Sequence, residues 1–258
     1  MTEKPLIELE NVTVSYSGFK ALDNLNFSFM TGGVKVLIGP NGSGKSTILD
    51  TIIGKVQPTA GRVLYKGIDI TNFPEHRIAQ MGIQRKFQTP GVLGNLSVYD
   101  NLAVAVRRSK GFFANLRPDL NSNEKSRVDE VLTLIGLREK QKMRAFSLSH
   151  GEKQWLDIGM VVSSEPEVLL LDEPTGGMTT RESELTVELI RTLANQHTVL
   201  VIDHDMTFVE QLDASISVLY SGRLLCQGNM KEIRENPDVV AVYLGRPEVQ
   251  PMRVAVND

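Results

Sequence analysis

The first third of the chain alternates apolar and polar positions with the period of a β-strand. Residues 6–14 follow this period roughly, and residues 25–29 follow it strictly. Val34–Ile38 is mostly apolar, which is typical of a strand buried inside a parallel sheet. A glycine-rich stretch then opens a predicted helix that ends near Gly54, and residues 62–65 return to strand. This part of the chain is therefore predicted to be mainly β.

The middle of the chain, from about residue 97 to residue 160, has the apolar spacing of helices. Residues 98–106 form one candidate helix, and an amphipathic stripe over 128–135 ends at Gly136. Between them, residues 109–126 are polar and contain Gly111 and Pro118, which indicates a connection rather than a packed element.

The last third alternates β and α. Residues 168–171 and 197–202, the latter with the apolar run 199–202 at its centre, predict buried strands, and residues 181–193 between them predict a helix. A further helix, strand and helix are expected to follow. Such alternation predicts an α/β domain with a mainly parallel sheet. Residues 247–258 show no clear pattern and are expected to form a tail.

Composition narrows the class of protein. No apolar stretch approaches the ~18 to 20 residues that a membrane span needs, and the N-terminus has no pattern of a secretory signal. Cys226 is the single cysteine, which excludes a disulfide framework and fits a reducing cytosol. A net charge of -3 argues against an electrostatic nucleic-acid partner.

One stretch departs from the acidic balance of the whole chain. From Arg107 to Arg144, ten Lys or Arg residues stand against five Asp or Glu residues, a balance of +5. Two interpretations remain open: a solvated helical surface, or a face turned toward a membrane surface or a partner beside one.

A phosphate-binding loop follows the buried strand Val34–Ile38. The match to G-x-x-x-x-G-K-[ST] consists of Gly39, Pro40, Asn41, Gly42, Ser43, Gly44, Lys45, Ser46 and Thr47. Glycines let the backbone curl so that its N–H groups point at phosphate oxygens, and the helix N-terminus adds partial positive charge. Lys45 is expected to reach the β- and γ-phosphates, and Ser46 to supply a hydroxyl to Mg²⁺.

Two carboxylates end the later buried strand. Asp172 and Glu173 follow residues 168–171, and catalytic groups of open parallel sheets collect at the carboxyl ends of strands. Behind a phosphate loop, Asp172 is the expected partner of Mg²⁺ through water. Glu173 is placed to orient or deprotonate an attacking water.

Beyond these motifs the chain resembles the ATP-binding-cassette ATPases. Residues 148–154 (Leu-Ser-His-Gly-Glu-Lys-Gln) are similar to the signature motif of that family, Phe87 and Gln88 to its glutamine loop, and residues 201–205 to its histidine switch. Tyr16 stands where the family places an aromatic residue on adenine. The resemblance covers about residues 5–246.

The resemblance implies the architecture of that family. We expect one cassette domain over residues 5–246: a P-loop NTPase core of the RecA-like kind, an antiparallel β subdomain at the N-terminus, and a helical lobe inserted at about residues 89–160. It also implies ATP and Mg²⁺ as cofactors. Gln88 would ligate Mg²⁺ or hold the water, and His204 would contact the γ-phosphate.

The signature segment implies a dimer. In the family it acts on the nucleotide bound by a second cassette subunit, so Ser149, His150, Gly151 and Glu152 are expected to contact the ATP of a partner, either a second copy or a closely related paralogue. Three positions depart from the commonest pattern of the family: His150 replaces a glycine, Glu152 a glutamine, and Thr179 an aspartate that helps the two sites communicate.

The chain carries a single cassette and no coiled-coil insertion, which favours a transport subunit over a soluble cassette protein acting on a protein or nucleic acid. The resemblance then implies integral-membrane permease subunits, indirectly a substrate-binding protein, and a peripheral place on the cytoplasmic face of the plasma membrane. Within importers it favours urea or a short amide, with branched-chain or hydrophobic amino acids as the alternative. The residues behind this preference lie at 85–90, 155–160, 177–179 and 242–246.

Overall fold

The chain divides into two units in the computed structural model, which describes residues 4–86, 91–108 and 120–243. One unit combines Met1–Met81 with Leu200–Asp258, and the other is Gly82–Val199. The chain therefore leaves the first unit once and returns to it.

The first unit begins with strands. Its elements before the second unit are β1 (Ile7–Tyr16), β2 (Phe19–Phe29), β3 (Val34–Ile38), α1 (Lys45–Ile52), β4 (Ala60–Tyr65), β5 (Ile68–Asp69) and α2 (Glu75–Gln80). Four of these strands form an antiparallel sheet in the order β2-β1-β4-β5. Its buried face carries alternate residues of β1, including Ile7 and Leu9, as the period-two pattern requires.

The second unit is mainly helical. Its elements are β6 (Ile83–Lys86), α3 (Val98–Arg108), α4 (Ser122–Leu134), α5 (His150–Val162), β7 (Val168–Asp172) and α6 (Thr180–Leu193). Helices α3, α4 and α5 pack on one another, and Gly159 of α5 permits a close approach, because a Cβ there would lie 2.9 Å from the Ile135 side chain. Strands β6 and β7 pair in parallel.

The strand β8 (Thr198–Ile202), buried along its whole length, carries the chain back to the first unit. There follow α7 (Met206–Leu212), β9 (Ser215–Tyr220), β10 (Arg223–Gly228), α8 (Met230–Glu235) and α9 (Pro237–Tyr243). Strand β3 pairs in parallel with β9, which pairs antiparallel with β10. The α/β class and the parallel pairing expected from the sequence are thus confirmed, with an antiparallel hairpin added.

Several elements differ from the sequence expectations. Strand β2 begins six residues before the strictly alternating segment, because it pairs with β1 along a longer hairpin. Strands β6 and β10 were not predicted. After β8, where a helix, a strand and a helix were expected, the chain forms a helix, two strands and two helices. The tail at 247–258 lies outside the described residues, and the extent of the helical lobe, about 89–160, stays a prediction.

The described part of the basic stretch makes contacts within the second unit. The Arg127 guanidinium donates to the Val162 carbonyl oxygen at 2.8 Å and pairs with Glu130 at 2.9 Å. Lys140 pairs with Glu152. These contacts favour the interpretation of the stretch as an ordinary helical surface.

Candidate phosphate and catalytic sites

The glycine-rich loop after β3 follows backbone angles that favour glycine. Gly39, Gly42 and Gly44 have φ values of 153°, 78° and 106°. Gly44 is the N-cap of α1, and a Cβ on it would lie 2.5 Å from the Ala21 carbonyl oxygen. The loop therefore leads directly into a helix N-terminus, where unpaired N–H groups attract phosphate.

Lys45 adds positive charge to this loop. Its side chain is buried, and its ammonium donates to the carbonyl oxygens of Gly39 at 2.8 Å and Pro40 at 3.0 Å. The charge is thus held inside the curve of the loop. Ser46, the next residue, is exposed. A charged amine, a helix N-terminus and an exposed hydroxyl are the groups that a nucleotide phosphate with Mg²⁺ needs.

Tyr16 and His204 also belong to the first unit. Tyr16 ends β1 opposite Phe19 across a tight turn, and it is 49% exposed, so its ring has a surface on which a base could stack. His204 follows β8, and its side chain is 65% exposed. The His204 backbone N–H donates to the buried Asp203 carboxylate at 2.8 Å, which fixes the chain at this position.

The two predicted carboxylates lie at the end of β7 in the second unit. The Asp172 carboxylate accepts from the Arg85 guanidinium at 2.7 Å, and both side chains are less than a tenth exposed. Arg85 lies on the adjacent parallel strand β6. Glu173 has a φ of 45°, in the left-handed region that non-glycine residues seldom adopt. The Arg85–Asp172 pair is a feature of the site that the sequence did not reveal.

Two further ionisable residues, Lys86 and Asp157, are buried near this strand end. Lys86 is fully buried, and burial lowers the pKa of its ammonium despite the nearby charges of Asp157 and Asp172. Asp157, on α5, is also buried, and burial raises the pKa of its carboxyl, while the Gly91 backbone N–H, which donates to it at 3.0 Å, and the Lys86 charge act in the opposite direction. Desolvation therefore outweighs pairing for both groups.

The signature segment forms the start of α5. Ser149 is the N-cap: its hydroxyl oxygen accepts from the Glu152 backbone N–H at 3.2 Å, and the Glu152 carboxylate accepts from the Ser149 N–H at 3.0 Å. The Glu152 carboxylate also pairs with Lys140. A capping box admits glutamine as well as glutamate, so the local reason for a charged residue at 152 is its pair with Lys140.

His150 and Thr179, the other two departures from the family pattern, both lie at the segment between Glu173 and α6. The His150 ring lies with Nε2 2.9 Å from the Gly176 carbonyl oxygen. Thr179 is the N-cap of α6, and its capping-box partner is Glu182. The Glu182 carboxylate also accepts from the Ser149 hydroxyl at 3.0 Å. The sequence analysis did not single out Glu182.

The predicted site residues thus fall into two groups. The loop residues 39–47, Tyr16 and His204 belong to the first unit, whereas Asp172, Glu173 and the signature residues belong to the second. Gln88 lies outside the described residues.

Known proteins resemble this chain along nearly its whole length. The profile of the family described as "ABC transporter" matches residues 22–176. The high-affinity branched-chain amino acid transport ATP-binding protein LivG of Escherichia coli (strain K12) is 34% identical over 251 residues, which cover 94% of this chain and 98% of that protein.

Two solved structures extend the comparison. The ADP conformation of an ATP-binding cassette of an ABC transporter matches with a TM-score of 0.84 and 28% identity, covering 94% of this chain and 99% of that one. A dimeric cassette in a post-hydrolysis state, bound to ADP and Pi, matches with a TM-score of 0.73 and 25% identity, covering 87% of this chain and 98% of that one. The expected family and fold are confirmed.

Proposed function

This chain belongs to the ABC transporter family, and from that premise we propose that it drives the import of branched-chain or other hydrophobic amino acids. As a member it is an ATPase, with ATP and Mg²⁺ as its cofactors and with hydrolysis to ADP and phosphate coupled to transport. The observation that carries the amino-acid cargo is the 34% identity to LivG along 94% of the chain. Urea, the cargo first expected from the sequence, becomes the second candidate.

The catalytic roles proposed from the sequence fit what each side chain offers. The loop residues 39–47 would hold the phosphates, Tyr16 the adenine, and Ser46, Gln88 and Asp172 the magnesium ion. Glu173 would act as the base toward water, with Gln88 and His204 near the γ-phosphate. Arg85 orients the Asp172 carboxylate, because its guanidinium donates to that carboxylate at 2.7 Å.

The signature would act on a second cassette subunit. The Ser149 hydroxyl, the Gly151 backbone and the N–H groups at the N-terminus of α5, which is thirteen residues long, would together bind the γ-phosphate of the partner's ATP. Two subunits arranged head to tail would then enclose two ATP molecules, and loss of the γ-phosphate on hydrolysis would release the clamp. The partner is a second copy or a closely related paralogue.

Membrane subunits are the proposed partners of the second unit. In the residues that the structure describes, no helix has the length and apolar character to cross a bilayer. Leu93, Met143 and Phe146 are large apolar side chains that are 45%, 40% and 57% exposed. They lie on two segments joined by backbone hydrogen bonds, such as the one from the Phe146 N–H to the Gly94 carbonyl oxygen at 3.0 Å. Exposed apolar side chains grouped in this way favour a protein partner, which would hold the chain at the cytoplasmic face of the membrane.

Uptake assays separate the two cargoes. Cells that lack the chain would be supplied with the parental chain or with the Lys45→Ala variant, and the uptake of labelled leucine and labelled urea would be measured. We expect the parental chain to restore leucine uptake and the variant to restore none, since the variant loses the phosphate-binding charge. Restored urea uptake without leucine uptake would transfer the proposal to the second candidate.

A further inference from the structure

Glu182 lies against the signature segment of its own chain. Its carboxylate oxygen Oε1 accepts from the Ser149 hydroxyl at 3.0 Å. The same oxygen would lie 2.6 Å from a Cβ built on Gly151. An anionic side chain therefore occupies the surface of the two residues, Ser149 and Gly151, that the proposed function assigns to a partner's γ-phosphate.

The capping of α6 does not by itself explain this contact. The other carboxylate oxygen of Glu182, Oε2, accepts from the Thr179 N–H and hydroxyl at 3.0 Å each, which completes the capping box. The structure has three further capping boxes in its described residues, with Glu124, Glu152 and Glu232 in the same position, and none of these glutamates has a recorded bond to the N-cap hydroxyl of another helix. Oε1 therefore takes no part in the capping box and accepts from the Ser149 hydroxyl instead.

The carboxylate is charged at neutral pH. Hydrogen bonds from the Thr179 N–H and hydroxyl, and a smaller contribution from the Ser149 hydroxyl, hold the pKa of Glu182 below its ordinary value. A charged acceptor makes a stronger hydrogen bond than a neutral one.

The Ser149 hydroxyl has one hydrogen to donate. Its oxygen already accepts from the Glu152 N–H as the helix cap, and its hydrogen is directed at Glu182. A γ-phosphate oxygen that binds the same hydroxyl must take this hydrogen from Glu182. It must also approach a carboxylate of like charge beside Gly151.

Resting on the proposed dimer mechanism, we propose that Glu182 is a positioning residue that competes with the partner's γ-phosphate for Ser149 and so opposes closure of the ATP-bound dimer. Closure breaks one of its three hydrogen bonds, the one to Ser149, and leaves both bonds to Thr179. The α6 cap therefore persists while the Ser149 hydroxyl changes its acceptor from the Glu182 carboxylate to the phosphate.

The test uses Glu182→Gln in a chain whose hydrolysis is suppressed by Glu173→Gln. The amide retains an oxygen that accepts from Thr179 and removes the charge facing the phosphate. We expect the ATP concentration for half-maximal dimer, measured by sedimentation velocity with Mg²⁺, to fall by about tenfold. The chain is measured alone and together with any cassette subunit that co-purifies with it.

Two control variants isolate the cause. Glu184→Gln removes the same charge from an exposed position on α6 and is expected to leave the half-maximal ATP concentration unchanged. Thr179→Ala weakens the α6 cap while retaining Glu182, and an equal shift in this variant would show that loosening of the helix, and not the lost charge, is responsible. That result would overturn the inference.

The outcomes separate the inference from the function on which it rests. A Glu173→Gln chain that forms no ATP-dependent dimer in either sample contradicts the dimer mechanism itself, and the inference with it. A Glu173→Gln chain that dimerises while Glu182→Gln leaves its ATP dependence unchanged or weakens dimerisation contradicts the competing role of Glu182 alone.

Discussion

At the residue scale, Glu173 combines the carboxylate proposed as the catalytic base with a left-handed backbone conformation. Its φ of 45° costs on the order of 1 kcal/mol for a residue with a Cβ, and such strain persists only where the surrounding structure imposes it. Glu173 directly follows β7, which is buried along its whole length, so the strand fixes the position of the Glu173 backbone. An acid held in this way is suited to a role that depends on direction, such as orienting a water.

We expect Glu173→Gln to bind ATP as the parental chain does and to lose turnover by about 100-fold or more, because the amide keeps the size of the side chain but cannot accept a proton. Nucleotide binding and phosphate release, measured on the same sample, test both halves. Glu165→Gln is a matched control, since Glu165 also has a left-handed φ, of 52°, but lies in a surface turn. Parental turnover in Glu173→Gln would remove the assigned role.

At the element scale, two buried ionisable groups lie on β6 and α5, which pack on each other. Lys86 ends β6 and Asp157 lies in α5, and Asp157 also accepts from the Gly91 N–H. The Asp157 carboxylate also interacts electrostatically with the Lys86 ammonium. Replacing one member leaves the other buried with less compensation, which is the costly case for ionic groups away from water.

A double-mutant cycle tests the coupling between Lys86 and Asp157. Asp157→Asn keeps an oxygen for Gly91 and removes the charge, and we expect it to lower the free energy of unfolding by about 3 kcal/mol, with Asp172 as the remaining acid near Lys86. Adding Lys86→Met should restore at least about half of that loss. Urea unfolding at neutral pH gives both values, and losses that simply add would show that the two charges are not coupled.

The same pair predicts a pH dependence. A raised native pKa of Asp157 means that stability falls as pH rises above its ordinary value of 3.8, and a lowered native pKa of Lys86 means that stability falls as pH drops below its ordinary value of 10.5. The double variant, Asp157→Asn with Lys86→Met, titrates at neither position, so its free energy of unfolding should vary less between pH 3.8 and pH 10.5 than that of the parental chain.

How far the sequence predicted these elements depends on the range of the signal. Strands such as β3 and β7 were predicted because an apolar run is a local property, and the phosphate loop because its spacing is local as well. Strand β6, with the sequence Ile-Gln-Arg-Lys, is mostly polar and becomes a strand by pairing with β7, more than eighty residues away. The contact of Glu182 with Ser149 spans 33 residues and depends on how α5 and α6 lie, which no spacing along the chain encodes.

At the scale of the whole molecule, the proposed function requires two subunits. The phosphate loop belongs to the first unit of the chain and the signature to the second, and in the proposed dimer each ATP would take its loop from one subunit and its signature from the other. A subunit damaged in its loop could still serve its partner through an intact signature. A subunit damaged in its signature could still bind and hydrolyse ATP through an intact loop.

Mixing two inactive variants tests this exchange. Lys45→Ala removes the ammonium that is proposed to bind phosphate, and Ser149→Glu places a carboxylate at an exposed position that would face the partner's γ-phosphate. Each variant alone should be inactive, since both sites of its dimer carry the defect. In an equal mixture about half of the dimers are mixed, and each mixed dimer has one intact site, so ATPase activity should return to roughly a quarter of the parental value if the sites act independently. Activity that stays at the level of the separate variants would mean that loop and signature do not complement each other between two copies, so that the partner in the dimer must be a different cassette subunit.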